Sequence, residues 1–117
     1  MKEFLLIFRH QDGSAKFSQE EMQGMMKLHT DWMNSIIAQD KLVSYGNGLA
    51  FDEGKVVRPN DVVTDGPFVE TKEAIGGYII IRANSADEAA ELAKGSPVLL
   101  GEGNSIEVRK IATHSKN

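Results

Sequence analysis

Apolar and polar positions along the chain first fall into a short stretch that is greasy on both sides. Over residues 3–9, Phe4, Leu6 and Phe8 alternate with Leu5 and Ile7, so a strand here carries three apolar side chains on one face and two on the other. Such a strand needs a cover on each face, and in a chain of 117 residues helices supply only one of them. The period then changes. Ser18, with Glu21 three residues on, forms a capping-box signal. From there to Ala38 the residues Met22, Met25, Met26, Trp32, Met33, Ile36 and Ile37 recur at spacings of three and four, which predicts an amphipathic helix with one wide apolar stripe. His29 lies near the middle of that stripe. Trp32 and the methionines read as core, because flexible Met side chains fill irregular gaps between helix and sheet.

Residues 42–51 alternate loosely and are broken at Gly46 and Gly48, which predicts a strand with a bulge or a close backbone approach. Asp52-Glu53-Gly54 then turns the chain into Val56-Val57-Arg58, predicting a hairpin with that strand. Residues 59–66 read as irregular apart from a short edge segment at Val62-Val63. Gly76-Gly77 leads into residues 78–83, a second strand that is apolar on both sides. Ser85 with Glu88 starts a second helix, Ala86, Ala89, Ala90, Leu92 and Ala93 give it a face of small residues, and Gly95 and Pro97 stop it. Residues 105–111 form the last strand and 113–117 a frayed tail. The order is β-α-β-β-α-β with an elaborated central hairpin and loop, an α+β chain of the ferredoxin-like arrangement expected as one domain over residues 1–112. With both helices on one face, the other face of the sheet is bare and apolar, which predicts a homodimer with sheet set against sheet.

Composition narrows the chemistry. The chain has no cysteine, which removes disulfides, thiolate nucleophiles and Cys-ligated metal centres. A net charge of −4 with scattered basic residues argues against direct binding of nucleic acid. The apolar run at residues 4–8 is too short for a signal-peptide core or a membrane span, so a cytoplasmic protein without a membrane partner is expected. Gly46-Asn47-Gly48 reads as hairpin chemistry rather than as a phosphate loop, and no motif offers hydride, radical or electron chemistry, so no cofactor is expected. A Gly-x-Ser-x-Gly elbow is missing too. The three histidines, His10, His29 and His114, lack metal-ligand spacing. His10 and His114 read as exposed.

Two readings are open for His29. An imidazole on an apolar helix face can be tuned as a general acid/base, or it can be a core histidine satisfied by a carbonyl or a buried water. Asp65 opens an Asp-Gly-Pro turn, and its carboxylate suits an Asx-turn. Glu70, Lys72 and Glu73 form either a solvated loop face or the rim of a pocket in which Lys72 meets an anionic ligand. Glu107 and Arg109 share a strand face, with Arg9 and Arg82 on neighbouring strands. If that face is buried they must pair, either as a structural ladder or as an anchor for a carboxylate or phosphate.

The stretch Thr64-Asp65-Gly66-Pro67-Phe68-Val69-Glu70-Thr71-Lys72-Glu73, followed by Gly76-Gly77-Tyr78, resembles the signature of the DGPF-domain proteins, also called YCII-related or YciI-like. Ser85-Ala86-Asp87-Glu88-Ala89 is similar to their second helix and Ile106-Glu107-Val108-Arg109 to their last strand, so the likeness covers essentially the whole chain. It implies the ferredoxin-like fold and pairing as a dimeric α+β barrel. Two classes of function are implied. Some members carry the label of transcription initiation protein or lie beside genes for extracytoplasmic-function sigma factors, which implies an interaction module with a sigma factor as partner. Other branches imply a cofactor-independent lyase- or isomerase-type enzyme that uses a His and Asp pair. His29 falls where that His stands. The acidic residue that precedes the proline after the second helix is Ser96 here, a departure that leaves Asp65 as the candidate carboxylate. Lys72, Glu73, Arg109 and Glu107 are then the ligand-binding candidates for a small anionic molecule. The enzyme reading expects a closed pocket of at least ~300 Å³ beside His29, and the interaction reading expects no cavity.

Overall fold

The computed structural model describes residues 1–12, 17–65 and 74–113, with the backbone alone described at Asp65. β1 (Lys2–His10) lies between β5 (Ala74–Ala83) and β6 (Ser105–Lys110), and β2 (Leu42–Gly48) pairs with the far edge of β5. All three pairings are antiparallel, in the order β2-β5-β1-β6. With α1 (Gln19–Ala38) and α2 (Ala86–Ala93), the chain is α+β and compatible with the ferredoxin-like arrangement.

Burial follows the alternation. Phe4 and Leu6 stand opposite Ile81 and Ile79 and are buried with Trp32, Met33 and Ile36 of α1 and Ala89 and Ala93 of α2. Leu5 and Ile7 stand opposite Ile80 and Tyr78 on the other face, which no helix covers, and they are half-buried.

Ser18 starts α1 as its pattern predicts. The Glu21 amide donates to Ser18 Oγ at 3.0 Å and the Ser18 amide to Glu21 Oε1 at 2.8 Å, so two amide groups that the helix itself cannot pair are satisfied. Further along, the Trp32 indole N–H donates to the Leu92 carbonyl at 2.9 Å, tying α1 to α2. Gly95 allows that approach, since a Cβ there would sit 3.0 Å from Trp32 Cδ1.

The structure corrects the sequence reading of the methionine stripe. Trp32, Met33 and Ile36 are buried, but Met22, Met25 and Met26 are 51%, 40% and 66% exposed. Only the C-terminal half of α1 lies on the core. Its N-terminal half borders an open groove, across which stands a 3-10 turn at Pro97–Leu100.

A second correction concerns the central hairpin. β3 (Lys55–Arg58) pairs with β4 (Val62–Asp65), from Lys55 opposite Asp65 to Arg58 opposite Val62, and not with β2. The turn is made by Asn60 and Asp61, both left-handed with φ of 68° and 62°, a conformation that Asn and Asp tolerate better than other residues with a side chain. These two strands form their own two-stranded sheet, on which Val57, Val62 and Val63 are exposed.

The third difference is at Gly76-Gly77, which lies inside β5 rather than before it. The register with β1 shifts between Phe8 and Arg9, with Phe8 opposite Gly77 and Arg9 opposite Ile75. Gly76 is therefore the extra residue of a bulge. The close approach expected in β2 is present: Gly46 has φ of 61°, and a Cβ there would overlap the Tyr78 carbonyl.

Candidate functional site

His29 projects from the middle of α1 toward Phe8 of β1, on the face of the sheet that the helices cover. Its ring meets Phe8 edge-on at 6.1 Å and Trp32 at 5.8 Å, and the residue is half-buried. Burial holds the imidazole below the ordinary histidine value, because the charged form loses hydration.

Two spaces meet at this ring. One is a cleft of about 210 Å³ lined by Phe8, His10, His29, Tyr45, Asn47 and Tyr78, with Gly76 and Gly77 as part of its wall. The other is the open groove of about 310 Å³ lined by Phe17, Met22, Met25, Met26, His29, Pro97 and Val98. The pocket expected beside His29 thus has the expected size but is open rather than closed.

His10, which the sequence reading left exposed, is a wall of the cleft and is half-buried. Strand β1 delivers it opposite Ala74, where its ring packs edge-on against Phe51 at 5.5 Å and 73°. The bulge makes room for it: a Cβ on Gly76 would overlap the His10 ring. Burial lowers its pKa as well. The sequence signal that could have found it is the Gly76-Gly77 pair on the strand opposite residues 8–10.

Neither imidazole makes a hydrogen bond among the described residues, so both rings keep their donor and acceptor nitrogens for something else. Asn47 and Tyr78 belong to the cleft wall, but their side chains pair on the face of the sheet away from α1, where Asn47 Nδ2 donates to the Tyr78 hydroxyl at 3.0 Å. None of the described residues lining the two spaces is an Asp, Glu, Lys or Arg. Nor do the described residues include a group of His, Asp and Glu able to hold a metal ion. A neutral imidazole on a cleft can accept a proton from a bound molecule and return it.

The other sequence candidates divide into those outside the described residues and those that line neither space. Asp65 closes β4 opposite Lys55, and its side chain lies outside the described residues, as do Lys72, Glu73, the rest of the 66–73 stretch and His114. Ser96 is buried, and its Oγ accepts from the Val98 amide at 3.2 Å. It caps the 3-10 turn that carries Pro97 and Val98 to the groove.

Glu107 and Arg109 are on the face of the sheet that the helices leave open, opposite Ile7 and Leu5. Arg9 donates to Glu107 from Nε at 3.1 Å and from Nη2 at 2.6 Å, and Arg109 donates from Nη1 at 3.1 Å. These two guanidiniums hold the Glu107 carboxyl below its usual value. The expected ladder therefore exists across β1 and β6, but its residues line neither space beside His29. On the same face Arg82 stands opposite Glu3, and its buried Nε has no hydrogen-bond partner among the described residues.

The described helices include none long and apolar enough to cross a membrane. The YCII-related domain matches residues 3–113. An uncharacterized protein of Rhizobium meliloti (strain 1021) is 40% identical over 113 residues, which cover 94% of this chain and 91% of that protein.

Proposed function

The chain belongs to the YCII-related family, and on that premise we propose that it is a homodimeric protein that binds a small molecule and carries out acid/base chemistry with His29. One observation carries this reading: two half-buried imidazoles, His29 and His10, line the same cleft, with no described hydrogen bond to occupy either ring. A side chain kept only for packing gains nothing from leaving two nitrogens without partners at the edge of a cavity. His29 is the group that takes or gives the proton, in an elimination or an isomerisation that needs no cofactor. His10 faces the same space as a second donor or acceptor. Asp65 is the carboxylate proposed to act with His29.

The dimer is supported by the parts of the chain that are incomplete alone. Leu5, Ile7, Tyr78 and Ile80 share a face that no helix covers. The described residues form a slab 19 Å thin, the depth of one sheet and one helix layer. The β3–β4 pair is a two-stranded sheet, which is marginal in water by itself. A second copy set against the open face, in a barrel of two ferredoxin-like halves, would cover these surfaces together.

Sedimentation equilibrium at micromolar concentration tests the dimer: twice 12.9 kDa is expected, and a species of 12.9 kDa refutes it. For the chemistry, a panel of small hydroxy and carbonyl compounds in deuterated water is followed by NMR. Deuterium incorporation or conversion is expected with the wild type and is abolished in His29→Gln. Asp65→Asn is expected to slow it. Turnover undiminished in His29→Gln overturns the assignment.

A further inference from the structure

We propose that the ligand of the His29 site is an uncharged amphipathic molecule, whose apolar body lies in the groove against Met22, Met25 and Met26 and whose hydroxyl or carbonyl end reaches the cleft between His29 and His10. This rests on the small-molecule reading above and adds the class of molecule. Its first support is continuity. His29 and Val98 line both spaces, so the groove and the cleft adjoin at the imidazole, and a molecule lying in the groove has its end beside the ring.

The second support is charge. The described lining residues include no carboxylate, ammonium or guanidinium, so they offer a charged ligand no opposite charge in return for the hydration it would lose. The one carboxylate proposed for the site, Asp65, is the partner of His29. Burial favours the neutral form of both imidazoles, and a neutral imidazole offers one donor and one acceptor. A hydroxyl or carbonyl matches that offer.

The third support is the groove itself. Its volume of about 310 Å³ is at the lower end of ligand pockets, which run from ~300 Å³ upward. The exposed methionines are unexplained by the core, and flexible thioether side chains adapt to varied apolar shapes. Tolerance for the body and selection at the polar end follow from this division.

The full-length protein, labelled with carbon-13 at the methionine methyls and nitrogen-15 at the imidazoles, is titrated with para-butylphenol, para-butylbenzoate and para-butylbenzylammonium and followed by NMR. The phenol is expected to shift the methyls of Met22, Met25 and Met26 together with both imidazoles, and to bind roughly tenfold tighter than either charged analogue. Met25→Gln, at a partly exposed position that leaves the core untouched, is expected to weaken the phenol several-fold. Equal affinity for the three probes overturns the proposal, as does a methyl response without an imidazole response, or no binding at all. A soluble paramagnetic agent that fails to broaden the three methyls in the free protein also overturns it, because a second copy then covers the groove. Failure of this inference is separable from failure of the functional reading. Loss of the dimer or of His29-dependent turnover leaves the probe titration unchanged, whereas a charge-blind titration leaves the turnover result standing.

Discussion

Replacing Gly76 by alanine separates the seat of His10 from every other feature of β5. Positive φ among the described glycines is confined to Gly46, Gly77 and Gly103, so the backbone at Gly76 is one that alanine adopts freely. The added methyl has two neighbours to displace: the His10 ring, which it would overlap, and Phe51 Cζ at 3.0 Å. The ring is the end of a side chain, so it swings toward solvent before the strand moves. What is lost is the edge-on contact with Phe51, ~0.5–1.5 kcal/mol, together with part of the ring's burial. The variant also regains ~0.4–1 kcal/mol through a less flexible unfolded chain. The two nearly cancel, so the net stability change is within ~1 kcal/mol and Tm moves by only a few degrees. The pKa of His10 behaves differently. Burial is its one cause of depression, so the expelled ring returns toward the ordinary value near ~6.5. NMR titration of the imidazoles reads this directly, with His29 as internal control because its contacts are with Phe8 and Trp32. An unshifted His10 in Gly76→Ala refutes the packing argument. So does a stability loss beyond ~3 kcal/mol, which would mean that the strand had moved instead of the ring.

Three further outcomes follow from the same contacts. His29 has a lowered folded pKa, so on acidification from about pH ~6.5 the unfolded state binds a proton that the folded state refuses. Urea unfolding of the wild type is expected to show stability falling over that range, with a shallower fall in His29→Gln. Equal slopes would refute the burial assignment. Glu107 also has a lowered folded pKa, so the stability it contributes is present above the ordinary carboxylate range and is lost as pH falls through the folded value. Glu107→Gln is expected to lack that acid-side loss and to show weaker salt dependence at neutral pH. Unchanged pH and salt profiles would show that the Arg9 and Arg109 contacts have no energetic weight. Trp32→Phe removes the indole donor from the Leu92 carbonyl, which keeps a 3.4 Å bond from the Gly95 amide, a cost of ~0.5–1.5 kcal/mol in denaturant unfolding. A loss below ~0.5 kcal/mol would show that water replaces the indole.

The helices were legible because their signals are local. Ser18 with Glu21 and Ser85 with Glu88 mark starts whose capping bonds depend only on residues three apart, and the structure forms both. Strand alternation was legible for a similar reason, since Phe4, Leu6 and Phe8 differ in burial from Leu5 and Ile7 whatever they pair with. Pairing itself was not. The Asp52-Glu53-Gly54 turn looked like the stronger hairpin signal, yet Asn60 and Asp61 fold β3 onto β4. A choice between two turns is decided by which strands find partners, and that lies outside either turn. The methionine stripe shows the same limit. Its period fixes which face of α1 is apolar but not how far along the helix the sheet extends, so Met33 is core while Met26 borders a groove. His29 could be singled out by its place on that face. His10 could not, because its seat exists only where a glycine on a strand far along the chain leaves space.

The topology also fixes an order of assembly. β1 pairs on one side with β5, where Phe4 faces Ile81, and on the other with β6, where Phe4 faces Lys110. A chain leaving the ribosome therefore exposes a strand that is apolar on both faces while both hydrogen-bonding neighbours are still unmade. Closing such distant pairs is slow compared with forming α1. Until β5 and β6 arrive, the strand edge is open to pairing with other nascent chains, and synthesis rate and chaperone supply, more than final stability, set the yield of native protein.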